Sequence, residues 1–99
     1  METVDELTIE YEENGEVLTK ELDKAVLSKG AWATVVFLYQ DRNRRTGEFG
    51  PPKIGLRRYR KMRGVYRLQG RFNISSIDQA SKLVDVLERW IAEQREASA

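Results

Sequence analysis

One change of period constrains this chain more than any other feature. Up to residue 74 the apolar residues recur at every second position or in short continuous runs, and from residue 76 onward they recur every third and fourth. The first pattern belongs to strands and the second to a helix. Ser76-Ile77-Asp78-Gln79 marks the switch as a capping box, with Ser76 as N-cap and Gln79 reaching back. Ile77, Ala80, Leu83, Val84, Leu87 and Ile91 then form an i, i+3/i+4, i+7 stripe. The pattern predicts a helix over about residues 77–95 that packs this stripe on one face of a sheet.

The sheet is predicted over about residues 7–74. In 7–12, Leu7, Ile9 and Tyr11 alternate with Thr8, Glu10 and Glu12, as in a half-buried strand. Asn14-Gly15 is a hairpin turn signal, because both residues tolerate positive φ. Residues 16–22 read as the returning strand. Residues 20–29 also fit a helical stripe through Leu18, Leu22, Ala25 and Val26, but the turn needs a partner strand of useful length, which favours strand. Residues 31–40 are apolar on both parities and rich in aromatic and β-branched side chains, which predicts a central strand. Residues 41–53, with Gly47, Gly50, Pro51 and Pro52, read as a long, mobile, basic hairpin loop. Two more strands, 54–63 and 65–74, follow about Gly64. In the second, Tyr66, Leu68, Phe72 and Ile74 share one face, with Val65, Arg67, Gln69, Arg71 and Asn73 on the other. In the first, Ile54 and Leu56 lie opposite Arg57, Tyr59 and Lys61, and a bulge near Arg58 would reconcile the parity. The expected fold is therefore α+β: a four- to five-stranded antiparallel sheet with one long C-terminal helix packed on one face. Residues 1–99 have the length of a single domain.

Composition enters as a set of exclusions. The chain has no Cys and no His, which removes disulfides, thiolate metal sites and the Ser-His and Cys-His nucleophile pairs. No phosphate-cradling GxxxxGK[ST] loop is present. Glu10, Glu12, Glu13 and Glu16 crowd around the Asn-Gly turn, where carboxylates are ordinarily solvated. Gly47-Glu48-Phe49-Gly50 has the GxxG spacing of the KH nucleotide clamp, but it lies between predicted strands rather than helices and carries Glu48. Catalysis, a cofactor and a metal are accordingly not expected; the enzyme reading left is one on an acidic or phosphorylated substrate, with Arg for binding and a carboxylate for chemistry, and it ranks last. No apolar stretch reaches the roughly 18 residues of a membrane span, and Met1–Glu6 is acidic with no signal-peptide core. The expected location is cytoplasmic.

The net charge of +1 conceals a segregated pattern. Residues 1–29 carry −6, whereas residues 42–71 hold eleven bases against Glu48. Nine of the eleven are Arg, whose planar fork matches phosphate and stacks on rings. Two readings stay open. In one, the acidic first third neutralises the basic middle third within the sheet or between copies of the chain. In the other, the bases form a face for an anionic partner. On the second reading Arg57, Tyr59 and Lys61 project together, and so do Arg67, Gln69 and Arg71. If the helix covers the opposite side, these six share one open surface on which bases stack and phosphates are tracked. Arg42, Arg44, Arg45 and Lys53 flank the loop as a flexible phosphate clamp. Nucleic acid, preferably single-stranded DNA or RNA, is thus the expected partner. Opposite parity in 57–74 would instead expose Arg58, Arg60 and Met62. Trp32 is expected in the core or at its rim, and Trp90 as a packing or dimer contact.

Some of these residues resemble a known group of modules. Lys29-Gly30, a strand ending in Tyr39-Gln40-Asp41, then Gly47-Glu48, Pro51-Pro52, Lys53-Ile54 and Gly55-Leu56 are similar to the small ββββα modules of the transcriptional coactivator "positive cofactor four" family and the related Whirly and Pur proteins. The resemblance covers roughly residues 24–95. Residues 57–74 depart from the coactivator pattern as an additional basic strand pair. The resemblance implies a homodimer gripping single-stranded DNA, with Lys29, Lys53 and Arg57 as phosphate contacts.

Overall fold

The computed structural model describes residues 3–98; Met1, Glu2 and Ala99 lie outside the described residues. Five strands run in order along one antiparallel sheet: β1 (Tyr11–Glu13), β2 (Glu16–Ser28), β3 (Trp32–Asp41), β4 (Lys53–Met62) and β5 (Val65–Ile74). A single helix, α1 (Ile77–Ala97), follows. The α+β class and the C-terminal helix agree with the sequence pattern, and residues 20–28 are strand. Asn14 and Gly15 both take positive φ (54° and 82°), which gives the hairpin the twist its strands need. Arg63 and Gly64 do the same between β4 and β5 (53° and 76°).

The sheet is curled. Its inner face carries Ala33, Val35, Phe37 and Tyr39 of β3, all buried, and Gly55, Arg57 and Tyr59 of β4 beside them. Register shifts help bend it: β2 is irregular at Leu22 and again at Leu27, and β5 inserts Gln69 between Leu68, opposite Tyr59, and Gly70, opposite Arg58. The irregularity expected in β4 therefore lies across the ladder, with the extra residue in β5. It also overturns the expected faces of β5. Tyr66 and Leu68 share the inner face with Arg71 and Asn73, while Val65 and Arg67 share the outer face with Phe72 and Ile74.

The expected strand over 7–12 is shorter than its alternation suggests. Only Tyr11–Glu13 pairs with β2, and residues 4–6 form a 3₁₀ turn. Val4 and Leu7 are buried with Ala33, Val35, Phe37, Tyr59 and Tyr66, and Ile9 packs against them. The alternation thus describes a segment lying over the sheet rather than paired in it. Lys24 ties that segment down: its ammonium donates to the carbonyls of Val4 (3.1 Å), Asp5 (2.9 Å) and Leu7 (2.8 Å).

The helix departs from expectation in its packing. The Ser76 cap forms as anticipated, with Gln79 N donating to Ser76 Oγ at 3.1 Å, while Gln79 reaches back one residue further than in a capping box, its Oε1 accepting from Ser75 N at 3.2 Å. Yet α1 meets the sheet chiefly at β4 and β5, and sparsely there, and none of its residues is buried. The core lies instead between the inner face and residues 4–9. Leu83, Val84, Leu87, Trp90 and Ile91 remain exposed. No helix among the described residues is long and apolar enough to cross a membrane.

Candidate nucleic-acid interface

The β3–β4 register pairs Trp32 with Arg60 and Thr34 with Arg58, and the β4–β5 register pairs Arg60 with Arg67. Even-numbered positions of β4 face outward, so these side chains gather on the outer face. The Arg58 guanidinium lies 4.4 Å from the centre of the Trp32 ring and that of Arg60 5.3 Å. Such contacts contribute about 0.5–1 kcal/mol each when exposed. Trp32 stays 40% exposed, a rim position. A second cation–aromatic group sits at the far end of β3, where Arg42 lies 4.8 Å and Lys20 5.7 Å from the ring centre of Phe49.

The expected site residues divide among different surroundings. Arg57 and Tyr59 are buried on the inner face, at 9% and 7% exposure, so they do not belong to an open surface. Lys61 shares that face and lies 5.4 Å from the Tyr66 ring centre. Arg71 stands directly opposite Arg57, and Arg67, on the other side of the Gln69 insertion, faces outward. The six-residue open surface expected from strict alternation is thus split by one inserted residue.

The loop carries local bonding of its own. Arg42 and Phe49 form a bridge, and Asn43 Oδ1 accepts from the backbone N–H groups of Arg45 (2.8 Å) and Thr46 (3.2 Å). Arg42 is engaged with the fold, its Nε donating to the Val17 carbonyl at 2.9 Å. Arg44 meets Glu13 at 3.5 Å, and Lys53 meets Asp41 at 3.3 Å. Arg45 is exposed on the turn.

Those two pairs are the only ion pairs among the described residues. Two of the eleven bases of residues 42–71 are therefore paired, and only one of them, Arg44, with a carboxylate of the acidic first third among the described residues. Tyr59 stays protonated past the usual tyrosine range, because burial disfavours its phenolate; the Arg57 charge opposes this and Glu21 adds to it.

β4 takes the alternative parity, which exposes Arg58, Arg60 and Met62; what sequence reasoning missed is that Trp32 joins Arg58 and Arg60 in one group. Their parity relative to Ile54 and Leu56 pointed to it, once the apolar residues of β4 are allowed on the outer face. No protein-family model matches this chain, and no curated protein or solved structure matches it. The resemblance to single-strand-binding modules rests on the residues quoted for it. Of the contacts it implied, Lys53 is ion-paired, Arg57 is buried and Lys29 is exposed beside the β2–β3 turn.

Proposed function

We propose that this protein is a non-enzymatic nucleic-acid-binding module that holds a single strand of DNA or RNA on the outer face of its sheet. The observation that carries this reading is the group of Trp32, Arg58, Arg60 and Arg67: three guanidiniums and an accessible indole across three adjacent strands, without an ion pair among the described residues. Guanidiniums track phosphates while an exposed ring stacks on bases, at about 1–3 kcal/mol per base. Duplex reading by the helix is disfavoured, since α1 offers only Lys82, Arg89 and Arg95 against five carboxylates.

A homodimer accompanies this reading. A stripe of large apolar side chains along a 21-residue helix that buries none of them calls for a partner surface. Two copies of α1 laid antiparallel would cover each other's stripes without a further component.

The test is fluorescence anisotropy of labelled single-stranded DNA, single-stranded RNA and duplex DNA across a salt series. The R58A/R60A/R67A variant is run beside the parent, and R44A/R45A serves as a loop control. Salt-sensitive binding to a single strand that is lost in the first variant is the expected result. Absence of binding to all three at low salt would overturn the reading, and loss confined to R44A/R45A would move the site to the loop.

A further inference from the structure

Arg57 occupies a constructed position on the inner face. Its guanidinium folds back along β4 into the space left by Gly55, where Nη1 donates to Asn73 Oδ1 at 2.8 Å and to the Leu56 carbonyl at 2.9 Å. Gly55 is required by this arrangement. A Cβ there would lie 2.9 Å from Arg57 Nη1, 3.1 Å from Tyr39 Cε1 and 3.2 Å from Asn73 Oδ1. A second guanidinium, Arg71, is its direct cross-strand neighbour on the same face. Like charges placed opposite one another are unfavourable, and a buried cation ordinarily has an anion beside it. Neither arginine has a carboxylate within ion-pair distance among the described residues.

The nearby carboxylates, Asp41 at the edge of the same cleft and Glu21 near Tyr59, already have partners. Asp41 accepts from Thr19 Oγ1 at 3.0 Å and pairs with Lys53, and Glu21 accepts from Thr8 Oγ1 at 2.6 Å. Arg57 uses Nη1 for its two protein contacts. Its Nε and Nη2 donors, and the hydroxyls of Tyr39 and Tyr59, bond to no other protein group among the described residues, and no fully buried polar atom there lacks a partner. These donors therefore reach solvent. Arg57, Arg71, Asn73, Tyr39 and Tyr59 line one cleft of about 360 Å³, and Asp41, whose charge is met by Lys53, borders it as well.

We propose that this inner cleft binds the phosphate group of a small phosphomonoester or of free phosphate, clamped by Arg57 and Arg71 with the Tyr39 and Tyr59 hydroxyls as further donors. Two guanidiniums match a dianion, and donors converging from three strands suit a tetrahedral oxyanion better than a planar carboxylate. The volume is that of a small-molecule site. A continuous polymer strand is disfavoured, because residues 4–9 pass over this face. The proposal is independent of nucleic-acid binding on the outer face.

The test is a titration of the whole chain with inorganic phosphate and, separately, with a nucleoside 5′-monophosphate, followed through the NMR signals of the arginine Nε–H groups. Saturable shifts of Arg57 at roughly millimolar ligand or below are expected. Tighter binding of the nucleotide would assign an organic monoester, and equal binding would assign free phosphate. R71Q alters an exposed residue and leaves the buried Arg57 in place; it should weaken binding by about tenfold or more. R58A/R60A/R67A should leave it unchanged. No saturable shift with either ligand, undiminished binding by R71Q, or displacement of the nucleotide by an unphosphorylated oligonucleotide would each overturn the proposal.

Discussion

Lys24 shows how much a single side chain contributes to this fold. It stands in a strand that reads as polar, yet its ammonium collects three backbone carbonyls of residues 4–7 and holds the segment that completes the core. Lys24→Met leaves those acceptors without their donor. The expected loss is about 1–3 kcal/mol, read as a lower urea midpoint with an unchanged slope. Tyr59 gives a second test at this scale. Its folded-state pKa is raised above the ordinary 10.0, chiefly by burial. In the window above that value the unfolded chain has lost the proton that the folded chain keeps. The contribution is therefore fully present below the unfolded pKa and is lost as pH rises through the folded one. Stability should fall on raising the pH above 10.0, and Tyr59→Phe should remove that part of the decline. Neither role was legible in sequence, because each depends on groups far along the chain.

Among the elements, α1 was the most legible and the least packed. Its cap and stripe are local patterns, and the structure reproduces both. What the stripe covers is not a local property. Most helical stability in proteins comes from packing of an amphipathic face, so helix content should rise with protein concentration if two copies pair. Leu87→Glu should abolish that dependence and give a monomer by light scattering; a monomeric parent with concentration-independent helicity would exclude the paired helices. The parity of β5 was legible only up to its irregularity. Alternation assigns Arg67 and Arg71 to one face, and inserting Gln69 sends them to opposite faces. Residues 7–10 show the converse error, since a true alternation there belongs to a segment that packs over the sheet without pairing to it.

For the whole molecule, the two faces of the curled sheet separate two kinds of cation. The outer group at Trp32 is accessible, whereas the inner pair at Arg57 and Arg71 lies in a cleft bordered by the N-terminal segment. Single-strand affinity should fall with salt at about 0.7 logarithmic units per logarithmic unit for each phosphate neutralised. R58A/R60A/R67A should therefore flatten the slope by about 2, while R71Q should leave it close to that of the parent. Equal flattening by the two variants would mean that one continuous surface serves both.

The segregation of charge, the turns at Asn14-Gly15 and about Gly64, the strand at 31–40 and the capped helix are consequences of neighbours in sequence, and the sequence by itself determined them. Which arginines face outward, which tyrosines are buried and whether the helix finds a sheet to cover were decided only by the tertiary structure. The physical reason is that an inserted residue in a ladder reverses every side chain beyond it, and that the core formed under residues 4–9 rather than under α1.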